Sequence, residues 1–181
     1  MKGPKMLNRR GLISLGASLL LCACTGTGGY AEAAGATVYL VRHAEKEAGP
    51  DPLLTEAGTA RAERLAGLLH DEDVTEVWST DTRRTLATAA PLAADHGLEV
   101  QLYEAGHLNR MADRMRDKSG VVVIVGHSNT TPVLAEAMTG RPEPAEFDES
   151  DYESLYRVDL NSDGEAVAYR MSYDALEMSL D

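Results

Sequence analysis

One run constrains this chain more than any other: Val121-Val122-Val123-Ile124-Val125-Gly126-His127, five β-branched residues in succession before a glycine. A strand with one wet face alternates apolar and polar residues. A strand with no polar alternate is covered on both faces. Such a strand belongs inside a parallel sheet with helices on either side.

The rest of the chain supplies what that sheet needs. "TVYLVRH" at 37–43 predicts a second buried strand, "EVWST" at 76–80 a third and "LEVQLY" at 98–103 a weaker fourth. Between them lie helical spacings. Thr55 is a candidate cap for a helix with Ala62, Leu65, Ala66 and Leu69 on its apolar face. A second helix is expected over Asp81–Asp95, with Leu86, Ala89, Ala90 and Ala93 inward and a kink or break at Pro91. Leu108, Met111, Ala112 and Met115 mark a third, and a fourth begins near Thr130 with Pro132 in its first turn. "SLYRVDL" and "EAVAYRMSY" flank "NSDG", a hairpin pattern. The expected fold is a three-layer α/β/α sandwich, with a mostly parallel sheet and an antiparallel C-terminal edge hairpin. At 181 residues one domain is expected.

The amino terminus reads as an address. Residues 1–10 are basic and polar, and 11–23 are apolar and small, too short a run to span a bilayer. Arg9 and Arg10 before apolar residues also fit a twin-arginine signal. Leu21-Cys22-Ala23-Cys24 resembles a bacterial lipoprotein box, which implies cleavage before Cys24 and lipidation of that cysteine. Soluble secretion, with cleavage after Ala31-Glu32-Ala33, is the alternative. The organisation expected is a signal peptide over 1–23, a Gly- and Ala-rich tether over 24–36 and a folded domain over 37–181, exported to the periplasm or cell envelope and held at a membrane by lipid.

Removing residues 1–23 takes away four bases (Lys2, Lys5, Arg9, Arg10) and no acid, which moves the formal net charge from −12 to −16. A nucleic-acid partner is therefore not expected, because phosphate-backbone affinity comes from clustered Lys and Arg. Against that acidic background, three basic clusters fall at the carboxyl ends of expected strands: Arg42-His43, Arg83-Arg84 and His127. Ligands of open α/β sheets bind at those ends. Guanidinium forks bind tetrahedral oxyanions, and a neutral imidazole is a competent nucleophile toward phosphorus.

Four blocks in this order, "VRHAEK" at 41–46, "LTEAGTARAERLA" at 54–66, "STDTRRTLATAAPLA" at 79–93 and "VVIVGHSNTTPVL" at 122–134, resemble the histidine phosphatase superfamily, also called phosphoglycerate-mutase-like. With the strand spacing, the resemblance covers about 37–175, and its short length is similar to the small bacterial phosphatases. The resemblance implies a phosphatase working through a phosphohistidine on His43. Arg42, Arg84 and His127 would hold the phosphoryl oxygens, with Arg83 the near alternative to Arg84. It implies a small phosphorylated substrate or a phosphopeptide, and no metal or other cofactor. Ala44 stands where the family has Gly. Glu104 is the candidate proton donor by position after the third strand, and Glu45 a second candidate.

Other readings are weaker. A phosphate-binding lipoprotein without catalysis would have no need of His43. Gly126-His127-Ser128-Asn129-Thr130 imitates a serine hydrolase elbow around Ser128, but no histidine follows position 127 to act as base. "DLNSDG" at 159–164 begins like a calcium loop but has Arg170 where the last ligand would stand. His70, His96 and His107 are expected at helix ends as dipole partners, and Arg61 and Arg64 on a helix surface.

Overall fold

The computed structural model describes residues 35–144 and 146–180, with Met1 and Gly3. The expected leader, Cys24 and nearly all of the tether lie outside the described residues. In chain order the elements are β1 (Ala36–Arg42), α1 (Glu56–Leu68), β2 (Val74–Ser79), α2 (Arg83–Asp95), β3 (Val100–Leu102) and α3 (Leu108–Met115). These are followed by β4 (Gly120–Gly126), α4 (Thr131–Thr139), β5 (Ser154–Leu160), β6 (Ala166–Ser172) and α5 (Tyr173–Leu180).

The six strands form one sheet in the order β3-β2-β4-β1-β5-β6. β1 to β4 run parallel, and β5 and β6 add antiparallel to β1's free edge. β4 lies between β1 and β2, as its uninterrupted apolar run requires. Its alternate residues feed two cores. Val122 and Ile124 join Val38, Leu40 and Trp78 beneath α3 and α4. Val121, Val123 and Val125 join Tyr39, Val41 and Val77 beneath α1, α2 and α5. Burying each such large side chain is worth about 1.5–3 kcal/mol, so this strand ties the two layers together.

Several expectations need correction. β3 is three residues long instead of the six at 98–103, and as an edge strand it leaves Leu102 half exposed. α2 runs through Pro91 without a break, and its buried face is Thr85, Thr88, Ala89, Leu92 and Ala93. Ala90 is exposed and Leu86 only half-buried, because the face turns toward α1 and the sheet. α5 replaces the end of the expected strand: Tyr173 continues the alternating pattern but begins a helix that buries Tyr173 and Leu176. The 161–164 segment is a hairpin turn, closed by Asn161 and Glu165 backbone bonds, with Gly164 at φ 82°.

Local chemistry sets the starts of the helices that matter for the site. Thr55 Oγ1 accepts from Gly58 N at 3.0 Å and caps α1. α2 is capped from outside: Asp51, at a positive φ of 42°, accepts from Arg83 N at 2.9 Å. Gly126 ends β4 where a Cβ would come within 2.7 Å of both Thr130 Oγ1 and Tyr103 Oη, so the backbone can turn into His127 only without a side chain there.

Candidate active site

β1 and β4 deliver the two histidines side by side. His43 N donates to Gly126 O at 2.9 Å, which locks the end of one strand to the end of the other. The imidazole centres stand 5.6 Å apart at 67°. His43 is 4% exposed and Arg42 2%, although both lie at the strand end where loops open.

His43 Nδ1 lies 2.8 Å from Ala44 O. A carbonyl only accepts, so Nδ1 carries the proton and the lone pair resides on Nε2. Burial pushes the His43 pKa from 6.5 down to about 4, and Arg42, Arg84 and His127 push the same way. His127 is also lowered to about 4, by burial and then by Arg84 and Arg42. Both rings are therefore neutral at physiological pH, and neutral is the form in which Nε2 is a nucleophile.

The backbone behind His43 is fixed by α2. Ala44 N donates to Thr88 Oγ1 at 3.0 Å, and Thr88 Oγ1 donates to Arg84 O at 2.8 Å. One threonine thus ties the nucleophile's loop to the helix that presents Arg84. Arg84 Nη2 lies 3.3 Å from His127 Nδ1, and Nη1 lies 3.7 Å from Asp51. Arg83 is exposed and bonds to neither histidine, so Arg84 is the arginine brought to the histidines.

Arg42 does more than the sequence suggested. Its Nη1 donates to the carbonyls of Asp148 and Asp151, both at 2.9 Å, and its guanidinium lies 4.2 Å from the Tyr152 ring centre. The Nε atoms of Arg42 and Arg84 are both buried without a hydrogen-bond partner among the described residues. Two unpaired guanidinium donors beside two neutral imidazoles make a cradle whose missing complement is an acceptor-rich anion.

The proposed acids fare differently. Glu45 is bound through both oxygens by Arg61 at 2.7–3.1 Å, and that bond holds its carboxyl below the usual range. It is a structural anion, not a proton donor, and Arg61 is correspondingly part-buried instead of on the helix surface. Glu104 is exposed and pairs with His107 at 2.5 Å. Among the described residues no hydrogen bond or ion pair joins Glu104 to His43 or His127. It borders a cavity of about 370 Å³ with Trp78, Asp81, Tyr103 and Arg110, at the carboxyl ends of β2 and β3. His107 stands at the amino end of α3, opposite to the end where its charge would suit the dipole. Ser128 makes no side-chain hydrogen bond to either histidine. Among the described residues, no three His, Cys, Asp or Glu side chains are grouped to hold a metal ion.

Sequence reading missed Thr80, Asp51 and Tyr152. Thr80 Oγ1 lies 3.0 Å from His127 Nε2, and the Tyr152 ring centre is 6.2 Å from that of His43. Thr80 lies inside the third sequence block. Its position one residue past the strand end was the available signal. Tyr152 had none, because it reaches the site from a loop over a hundred residues away.

No curated protein sequence matches the chain. Solved structures do. The protein histidine phosphatase SixA complexed with tungstate superposes with a TM-score of 0.62 at 17% identity, covering 77% of this chain and 99% of that one. Phosphoglycerate mutase from Plasmodium falciparum gives 0.56 at 16% identity, covering 77% and 92%. The mycobacterial glucosyl-3-phosphoglycerate phosphatase gives 0.55 at 14% identity, covering 76% and 98%. Residues 38–105, which carry Arg42, His43 and Arg84, match the histidine phosphatase superfamily (branch 1), and the domain built around them has the fold of that superfamily.

Proposed function

We propose that the protein is a phosphatase that hydrolyses a phosphomonoester or related phosphoryl compound through a phosphohistidine on His43. The observation that carries this reading is the hydrogen bond from His43 Nδ1 to Ala44 O, which leaves Nε2 bare, neutral and among unpaired guanidinium donors. Nε2 attacks phosphorus, the bond to the leaving group breaks, and the phosphoryl group rests on the ring. Arg84 and the remaining donors of Arg42 hold the equatorial oxygens and offset the charge of the transition state. Water then attacks phosphorus, the P–N bond breaks, and His43 is regenerated. The arginines supply the positive charge, so the reaction needs no metal. Glu104, the donor expected from the sequence, pairs instead with His107, and the reading therefore favours phosphoramidates and phosphoanhydrides, whose better leaving groups need no donor.

The test is capture. Wild type mixed with radiolabelled substrate and quenched in alkali retains label on the protein, and His43→Ala retains none and loses turnover. Label surviving in His43→Ala sinks the assignment. Phosphate binding without turnover across sugar phosphates, nucleotides, phosphopeptides and phosphohistidine would leave only a binding protein.

We further propose that the domain works outside the cytoplasm, tethered through a lipid on Cys24. The support is the sequence of the first 24 residues. Cys24→Ser should release the protein from membranes or leave an uncleaved precursor. Wild type found only in a soluble fraction would refute the anchor.

A further inference from the structure

His127 faces two different partners with its two nitrogens. Nε2 lies 3.0 Å from Thr80 Oγ1, and Thr80 is 3% exposed. Nδ1 lies 3.3 Å from Arg84 Nη2. A guanidinium only donates, so Nδ1 must offer its lone pair. The ring proton therefore sits on Nε2 and is donated to Thr80 Oγ1. A phosphoryl group bound by Arg84 reverses the demand. Its oxygens are acceptors, and toward them a lone pair on Nδ1 is repulsive while an N–H is attractive. Burial and the two arginines disfavour a second proton on the ring. The single ring proton must then change nitrogen.

The hydroxyls behind the ring can serve both forms. Thr80 Oγ1 lies 3.0 Å from Thr85 Oγ1, which is itself 2.7 Å from Thr82 Oγ1. Thr85 donates to the Thr80 carbonyl at 2.9 Å or the Thr82 carbonyl at 3.0 Å. With Nε2 protonated, Thr80 accepts from the ring and donates to Thr85. With Nε2 bare, the Thr80 hydroxyl turns to donate to the ring, and Thr82 donates to Thr85 in its place. No buried donor loses its acceptor in either arrangement.

We propose that Thr80 is a positioning residue that lets His127 exchange tautomers, presenting a lone pair to Arg84 in the anion-free site and an N–H to a bound phosphoryl oxygen. One proton leaves Nε2 to water and one reaches Nδ1 from water, so the protons on the ring stay constant. Valine fills the same space but neither accepts nor donates, and serine does both. The inference rests on the phosphoryl-binding half of the proposed function and not on turnover.

The experiment is nitrogen NMR of the full chain labelled with 15N-histidine at near-neutral pH, titrated with tungstate as a tetrahedral oxyanion. In wild type and Thr80→Ser, the His127 proton should sit on Nε2 without tungstate and on Nδ1 at saturation. Thr80→Val should not exchange and should bind tungstate about tenfold more weakly or worse, the scale of a lost buried hydrogen bond. Thr80→Ala replaces it if the valine variant does not fold. The proposal is overturned if Nδ1 is protonated before tungstate is added, or if both nitrogens are protonated at saturation. An unmoved proton, a wild type that binds no tungstate, or hydroxyl-free variants that behave as wild type would overturn it equally. Exchange in a protein that hydrolyses nothing would remove the phosphatase reading and keep Thr80's role. Hydrolysis without exchange would do the reverse.

Discussion

Arg61 and Arg84 are both part-buried arginines on helices that follow a strand, and they are used in opposite ways. Arg61, on α1, is saturated: Glu45 takes two of its nitrogens, Glu153 takes the third at 2.7 Å, and its plane lies 5.2 Å from the Tyr173 ring centre. Arg84, on α2, has one long contact to a carboxylate, one to an imidazole, and a buried Nε with no partner. A buried guanidinium that meets two carboxylates has its charge balanced at home and holds elements together. One that meets a neutral ring and a single carboxylate at 3.7 Å keeps much of its charge for something that arrives. Residue type and burial are the same at the two positions, and the carboxylates distinguish them.

The largest effect is expected of Arg84→Ala. Removing a positioned donor to a transition-state oxyanion costs about 10²–10³ in turnover. Steady-state kinetics should show that loss, with little change in thermal midpoint. Arg61→Ala should do the opposite. It strands Glu45 partly buried and uncovers Tyr173, and a part-exposed pair of this kind is worth about 2 kcal/mol. Urea unfolding should report that loss, while kcat/KM falls less than about tenfold. If Arg61→Ala proves the catalytically worse variant, the division between the two arginines fails.

The histidines offer a finer test. His43 and His127 titrate near 4 in the folded chain and near 6.5 when unfolded. Unfolding therefore takes up protons between those values. Their contribution to stability is complete above about 6.5 and is lost as pH falls toward 4. Ring-proton NMR should place both midpoints near 4 in wild type. Arg84→Ala should raise both, because a neighbouring cation has gone, and Arg61→Ala should leave them where they were. The smallest effect expected is that of Glu104→Gln. Its exposed pair with His107 is worth at most about 1 kcal/mol, and turnover should fall only a few-fold. A loss of about 10²–10⁴ would instead mark Glu104 as the general acid.

The sheet was legible where burial leaves a chemical trace. β4 betrayed its central place by having no polar alternate, and the strand ends then placed Arg42, His43 and His127 together. Arg84 was separable from Arg83 only by resemblance to a family pattern. Other features left no such trace. α5 begins on Tyr173, whose burial suits a strand or a helix equally. Leu86 and Ala90 looked inward by spacing, but which stripe of α2 is buried depends on how the helix is rolled against α1. Arg61 read as surface because neither partner lies on its own helix: Glu45 is 16 positions before it and Glu153 lies far downstream. Separation also hid Asp51, which caps a helix 32 positions on, and Tyr152, which stacks on an arginine far upstream: a short sequence window cannot see a cap or a stacking ring delivered by another part of the chain.

The two carbonyls that hold Arg42 belong to Asp148 and Asp151, more than a hundred positions downstream. During synthesis, a chain halted at about residue 144 already contains His43, Arg84 and His127. It lacks the acceptors that keep the Arg42 guanidinium in place, and it lacks β5, which covers β1's edge. A ribosome-bound intermediate of that length would own every side chain assigned to the proposed reaction and still be a poor catalyst. Competence should therefore arrive late and abruptly, as the segment from Asp148 through β5 folds on. Truncations from the carboxyl end should extinguish activity long before they reach a residue that touches substrate.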